Sequence, residues 1–415
     1  MKKLNNKFWI AMIIFGLMGQ VAWVVENMYF NVFIYKMFNA SAQDISNMVM
    51  ASAVMAALTT LIMGVFSDKL GKRKAFMSIG YILWGISIIT FAYINSIFLT
   101  IVMDCVMTFF GSTANDAAYN AWLTDKGDSS NRGKIEGINS MMPLVSILVV
   151  FGGFIGFNLD LHSSWKTIYY IIGITTTLIG VLGLFIIEDD PNLKPSKDSF
   201  LDTLLFSFKL DTFKKNKSLY YLLIAFGIFG ISIQVFMPYL IIYYEKTLEL
   251  SNYVLIMAPA IILAAIVTAI YGKVYDLKGF NFAISIPLIM LIVGYIMLYL
   301  FTNTILVFIG SVLMMSGYLC GMSVFGAKIR DLIPENRSGQ FQGIRIIGQV
   351  FVPGLIGPLI GARVLQNAKM IINSDGTSSF LPNANIFLAA LVVIVILIVY
   401  LYESKRFYLN ENSSN

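Results

Sequence analysis

The stretch Ile97–Leu123, IFLTIVMDCVMTFFGSTANDAAYNAWL, decides the fold. It is long and apolar enough to cross a bilayer, which takes ~20 helical residues. Yet it carries Asp104 and Asp116, with Asn115 and Asn120 beside the second. A carboxylate at the bilayer centre costs on the order of 2.5–3.5 kcal/mol on insertion scales, so a segment that only anchors has no use for two. At about 100° per residue, Ser112, Asp116, Tyr119 and Asn120 share one helical stripe. That predicts a membrane helix with one face on a polar cavity. The alternative, a structural carboxylate paired to a neighbouring helix, stays open for both and weighs more at Asp104.

Composition extends the reading to the whole chain. Of 415 residues, 58% are hydrophobic and 13% charged, with mean hydropathy +0.77. Soluble domains carry about 25% charged residues, so a polytopic, multi-pass membrane protein is expected. Met1 to Lys7 is basic but no small-residue cleavage site comes after it, which predicts an uncleaved first helix. Cys105 and Cys320 both lie in apolar runs and His162 is alone. This predicts no metal site, no cofactor and no nucleophile–base chemistry, hence no enzyme. The net charge of +6 is not gathered on one soluble face, which argues against a nucleic-acid partner.

Apolar runs of spanning length fall at Phe8–Tyr35, Ile45–Phe66, Phe76–Tyr93, Ile97–Leu123, Ile135–Phe157 and Trp165–Ile187. Six more fall at Leu219–Tyr244, Tyr253–Tyr271, Phe282–Phe301, Ile305–Ala327, Ile344–Gly361 and Ile386–Tyr402. Twelve spans put both termini on one side. With that side inside, 23 of the 29 Lys and Arg residues are cytoplasmic and five are outside, with Arg345 at the inner start of the eleventh span. The positive-inside rule therefore sets the orientation. The expected organisation is a six-helix bundle over 1–187, a charged cytoplasmic linker over 188–217, and a second bundle over 218–415 with a short tail.

The halves echo each other. Gly64, Asp68 and Gly71 after the second span recur as Gly272, Asp276 and Gly279 after the eighth, all at an offset of 208. Asp125, Arg132 and Gly137 after the fourth span recur as Asp331, Arg337 and Gly343 at offsets of 205 or 206. Repeats in topologically equivalent loops indicate a duplicated six-helix unit, the architecture of two-halved secondary transporters. Gly64 would let the second span approach a neighbour closely. Gly71 would permit a tight turn. Asp68 and the basic run Lys72-Arg73-Lys74 would pair with helix ends and acids.

The loop Gly64-Val-Phe-Ser-Asp68-Lys-Leu-Gly71-Lys72-Arg73-Lys74 resembles the signature between helices two and three of the major facilitator superfamily. The resemblance implies twelve helices in two pseudo-symmetric bundles. It also implies a cytoplasmic latch built from Gly64, Asp68, Gly71, Arg73, Asp125, Arg132, Asp276 and Arg337. The run from Asp116 to Asp125 is similar to the helix-four region of the glycoside–pentoside–hexuronide:cation symporters, the melibiose permease group. There the matching Asp serves sugar and cation binding, which would fall on Asp116. That family's sugar-stacking ring falls on Asn120, leaving Tyr119 or Trp122 to supply one. Ile45–Phe66 holds no acidic residue where that family keeps a cation-binding pair, and Ile135–Phe157 holds no arginine.

Helix one adds Gln20, Trp23, Glu26, Asn27, Tyr29 and Asn31. Gln20, Asn27 and Asn31 share a stripe with Glu26 at its edge. Amides near rings suit a sugar, whose hydroxyls need hydrogen bonds and whose C–H face stacks. The alternative is a polar helix–helix contact worth ~0.6 kcal/mol. In helix seven, Gln234 is the deep polar residue, Pro238 can kink the helix, and Tyr243 and Tyr244 read as an interfacial belt. In helix eleven, Pro353, Gly354, Gly357, Pro358 and Gly361 predict a bendable, closely packed segment.

The sequence therefore predicts an all-α secondary transporter of a small molecule in the bacterial plasma membrane, expected to be a monomer whose partners are its substrate and the bilayer. The favoured activity is symport of a sugar or glycoside with H+, or alternatively Na+. Asp116 is the first coupling residue and Glu26 and Asp104 come next. Proton-driven efflux of drugs or amphipathic metabolites is the rival reading.

Overall fold

The computed structural model describes residues 4–127, 132–191, 193, 195, 199–200, 205, 208–250, 252–333, 344–373 and 376–412. Among them eleven helical segments are long and apolar enough to span a membrane. They are α1 Asn6–Phe38, α2 Ala42–Leu70, α3 Lys74–Tyr93, α4 Ile97–Lys126, α5 Arg132–Phe154 and α6 His162–Ile186. The remaining five are α7 Lys217–Thr247, α8 Val254–Leu300, α9 Thr304–Leu332, α10 Ile344–Val364 and α11 Asn385–Asn412. The 47-residue α8 contains the eighth and ninth expected spans and breaks between them at Gly279, where φ is 72° and ψ 175°. Helices are the only open-ended element that satisfies every backbone polar group inside lipid. The protein is an all-α membrane protein; a short hairpin pairs Met370–Ile372 with Ser378–Phe380.

Local chemistry sets the ends. The Asn5 side chain accepts from Phe8 N at 2.8 Å and starts α1. Ser41 Oγ accepts from Asp44 N while Asp44 accepts from Ser41 N at 2.9 Å, a reciprocal cap on α2. Asn39 ends α1 in the left-handed region at φ 52°. Gly71 turns the α2–α3 loop at φ 59°, and its repeat partner Gly279 also has positive φ. The expected turn glycine and its echo thus both have positive φ. Gly64 differs from expectation: a Cβ built on it meets no atom within 4 Å, so no close approach requires a glycine there.

Two compact units divide the chain. One comprises 1–40 and 47–206, the other 41–46 and 207–415. In the first, α3 lies against α6 so closely that a Cβ on Gly85 would sit 2.4 Å from Gly173 O. In the second, α7 packs on α10 and α11, and Ser232 Oγ donates to Ala390 O at 2.9 Å. Pro238 introduces the 3-10 turn Met237–Tyr239 within α7. Tyr243 and Tyr244 are buried, against the expectation of an interfacial belt. A π-helical turn, Tyr243–Thr247, carries them inward. Tyr243 packs edge-on against Phe387, and Tyr244 bonds Ser311 Oγ at 2.5 Å.

Candidate functional site

Both helices that carry the predicted polar residues contain a π-helical turn, Val25–Phe30 in α1 and Ser112–Tyr119 in α4. Such a turn bonds i to i+5 and inserts one residue, rotating the rest of the helix by about 100° relative to α-helical register. The expected stripes are therefore split. In α4, Asp116 stays half-buried and accepts from Ser112 Oγ at 2.9 Å. Asn120 is exposed and turns back to Asn115 O and Asp116 O at 3.2 and 3.0 Å. Tyr119 leaves the stripe: it is buried, and its hydroxyl has Met12 O and Asn139 Oδ1 as acceptors at 2.9 and 3.1 Å. Trp122 is buried against Phe8, with Nε1 donating to Glu188 O at 3.0 Å. Neither ring presents a face for sugar stacking in this conformation, which corrects that expectation.

In α1 the same splitting occurs. Gln20 and Trp23 are half-buried and Asn27 is exposed, its Nδ2 donating to Trp23 O at 2.8 Å. Asn31 is fully buried rather than level with Asn27. Trp23 Nε1 donates to Asn115 Oδ1 at 3.3 Å, Asn115 Nδ2 donates to Tyr81 OH at 2.8 Å, and Tyr81 OH donates to Phe15 O at 2.6 Å. This chain locks α1, α3 and α4 together at Asn115, next to Asp116 in sequence. Gly19 makes room for it, since a Cβ there would lie 2.2 Å from Asn115 Nδ2.

Glu26 turns inward instead. It is buried and its Oε1 accepts from Thr108 Oγ1 at 2.9 Å. Asp104, one α-helical turn before Thr108, is also buried and acts electrostatically on Glu26. Glu26 and Asp104 thus share a buried neighbourhood around Thr108. Gln234 lies in the other unit, half-buried where α10 crosses α7, and a Cβ on Gly357 would sit 2.4 Å from its Cβ.

The loop residues form a second centre. Arg73 is almost wholly buried. Its Nε donates to Asp125 at 2.8 Å, Nη1 to Ser67 Oγ at 2.5 Å, and Nη2 to Asp68. Burial pulls its guanidinium pKa down, but the hydrogen bond to Asp125 and the charge of Asp68 outweigh that and hold it above its ordinary value. Asp189, just past α6, accepts from Arg73 N and Lys74 N at 2.7 and 2.8 Å. It caps the N-terminus of α3, where negative charge is stabilising. Lys126 Nζ reaches Asp189 O at 3.0 Å. The segment expected to begin a linker is therefore fastened to the N-terminal unit at its first residues.

The echo loop is built differently. Asp276 is exposed, and position 281, the equivalent of Arg73, is Asn281. Asp331 accepts from Tyr275 OH. The side chain of Arg132, and Arg337 altogether, lie outside the described residues. Thr108, Tyr81 and Asp189 were not singled out from sequence. Thr108 had a signal, four residues after Asp104; Asp189 had only its place in a short acidic run.

Carboxylates embedded in apolar helices, beneath a charged loop in a duplicated framework, are the features of a secondary transporter. A family model for the Major Facilitator Superfamily matches residues 8–358, and the chain belongs to that superfamily. The fold is similar to the crystal structure of a bacterial homolog of the human lysosomal transporter Spinster, in an inward-facing and occupied conformation. That match has a TM-score of 0.77 and 13% identity, over 98% of this chain and 99% of that one. It is also similar to the nucleoside transporter NupG, with a TM-score of 0.70 and 14% identity over 96% and 99%. A sugar efflux transporter A of Dickeya chrysanthemi is 23% identical over 152 residues. That match spans 37% of this chain and 38% of the relative, so the chain covers well under half of that protein's length.

Proposed function

We propose that this protein carries a sugar or glycoside together with a proton, or another monovalent cation, by alternating access in a bacterial plasma membrane. It acts as a monomer and needs no cofactor beyond the coupling ion. The observation that carries the reading is Asp116. It is a half-buried carboxylate within a membrane helix, held by Ser112, with no ion pair to it among the described residues. An uncompensated charge resists being enclosed in low dielectric, and a bound cation removes that cost. Loading the ion would then permit the occluded state, which is the linkage a symporter needs. The exposed amides of Asn27 and Asn120, with half-buried Gln20 and Trp23, offer hydrogen bonds and a ring to a polyhydroxylated substrate. Gln234, in the second unit, is a further substrate-binding candidate.

The Arg73 cluster serves as a latch at the cytoplasmic end, with Asp68 and Asp125 as its acids and Gly71 as its turn. Arg132 in the first half, and Asp276 and Arg337 in the second, are assigned latch roles from the motif alone, and Gly64 keeps only its place in it. Export is the second reading, favoured by one observation: the partial match to a sugar efflux transporter. Counterflow of a labelled sugar panel in proteoliposomes, with and without sodium, tests the substrate class. Gradient-driven uptake against gradient-driven release tests the direction. Exchange of lipophilic cations in place of every sugar would overturn the reading.

A further inference from the structure

Within the N-terminal unit, apart from Asp116, Glu26 of α1 and Asp104 of α4 are 7% and 1% exposed. Thr108 occupies one oxygen of Glu26. One oxygen on each carboxyl, Glu26 Oε2 and Asp104 Oδ1, is buried without a hydrogen-bond partner. The Tyr169 hydroxyl of α6 is likewise buried and unpartnered, and lies within electrostatic reach of Asp104. Buried polar atoms are almost always satisfied, so these three atoms call for hydrogen bonds among themselves or to a proton they share.

The groups around the pair restrict what it is. Those acting on Glu26 are Asp104, Asp116 and Thr108, and none is basic. Cys105 adjoins Asp104 on α4. Elsewhere in the same unit Trp84 of α3 packs on Trp23, and α5 presents Phe151 and Phe154 to Tyr29 of α1. Lys36, farther along α1, is engaged by Asp160 at 3.0 Å. Among the described residues no group of three or more His, Cys, Asp or Glu gathers as a metal-ion shell would require.

We propose that Glu26 and Asp104 form a carboxyl–carboxylate pair holding one proton between them, a proton site inside the N-terminal bundle and separate from Asp116. Glu26 bonds Thr108, and Asp104 sits one α-helical turn before Thr108 on the same helix face; two buried carboxylates in one such neighbourhood cannot both ionise cheaply. One shared proton gives a charge-assisted O–H···O bond and satisfies both unpartnered oxygens at once. The remaining charge has Tyr169 as an available donor. The transport role of this site rests on the ion-coupled reading above, but the site itself does not need a substrate to be tested.

The test is infrared difference spectroscopy of the full chain in lipid, titrated with pH in water and in deuterium oxide. Besides any band that Asp116→Asn removes, the expected result is a single carbonyl band from a protonated, water-shielded carboxyl. It is shifted or lost in Glu26→Gln and in Asp104→Asn, absent in the double variant, retained in Asp116→Asn and indifferent to saturating sodium chloride. With any band that Asp116→Asn removes set aside, the proposal is overturned by no band, by two bands that answer separately to the two single variants, or by bands that neither variant alters. It is equally overturned by a wild-type band that sodium abolishes, a measurement that needs no variant to fold. A pair confirmed in this way would stand even if Asp116→Asn kept full gradient-driven uptake, a result that would defeat the proposed function alone.

Discussion

Replacing Arg73 with Met removes the one cation shared by Asp125, Asp68 and Ser67. The Arg73 side chain is 4% exposed, that of Asp125 19% and that of Asp68 43%. Breaking a buried ion pair by deleting one partner costs about 3–5 kcal/mol, because the other charge is left uncompensated. Arg73→Met should fall in that range. Asp125→Asn keeps the shape and loses one well-shielded, charge-assisted bond, so about 1.5–3 kcal/mol is expected. Asp68→Asn acts on a solvent-screened pair and should cost at most ~1 kcal/mol. The double variant Arg73→Met with Asp125→Asn should be less damaging than the sum, since neither charge is then stranded. Thermal unfolding in detergent can be followed with a thiol-reactive dye, because Cys320 is buried and Cys105 half-buried. A two-unit chain need not melt in one step, so the order of the midpoints is the readout. If Asp68→Asn destabilises as much as Asp125→Asn, or Arg73→Met no more than Asp68→Asn, the account of this cluster is wrong.

Local geometry sets three further outcomes. Gly71→Ala and Gly279→Ala should each cost ~1–3 kcal/mol, because both positions have positive φ; Gly64→Ala, in a helix facing open space, should be neutral or gain up to ~1 kcal/mol. The same dye assay separates them. Gly19→Ala should cost ~1–3 kcal/mol by forcing Asn115 and Tyr81 apart, and should change Trp23 fluorescence, since that indole bonds Asn115. Asp189→Ala should lower stability by ~0.5–2 kcal/mol through the lost cap on α3 and speed amide exchange at Arg73 and Lys74, while Asp189→Asn should recover part of both.

The spans, the duplicated halves and the turn glycines were legible because they rest on short-range rules. Hydropathy marks a membrane segment, and a positive-φ position selects glycine wherever the repeat places it. Asp116 and Glu26 were legible because a carboxylate in an apolar run is costly whatever surrounds it. The side of the helix each one faces was not. Stripe arithmetic assumes an unbroken α-helix, and the π turns at Val25–Phe30 and Ser112–Tyr119 break it. They send Tyr119 into the bundle and bring Glu26 to Thr108. Asp189 escaped notice because its partners lie more than a hundred residues away. Tyr243 and Tyr244 misled because an interfacial belt and buried hydroxyls bonded to Leu298 O and Ser311 Oγ read alike in sequence.

The central claim is that a carboxylate on the fourth span couples an ion to substrate. It is tested most directly by proteoliposome accumulation of whichever sugar supports counterflow, under an imposed proton or sodium gradient, in wild type and Asp116→Asn. The account predicts that the variant still exchanges labelled for unlabelled sugar but no longer concentrates it, and that its rate loses its dependence on the driving ion. Accumulation by Asp116→Asn equal to wild type, with ion dependence intact, would contradict it.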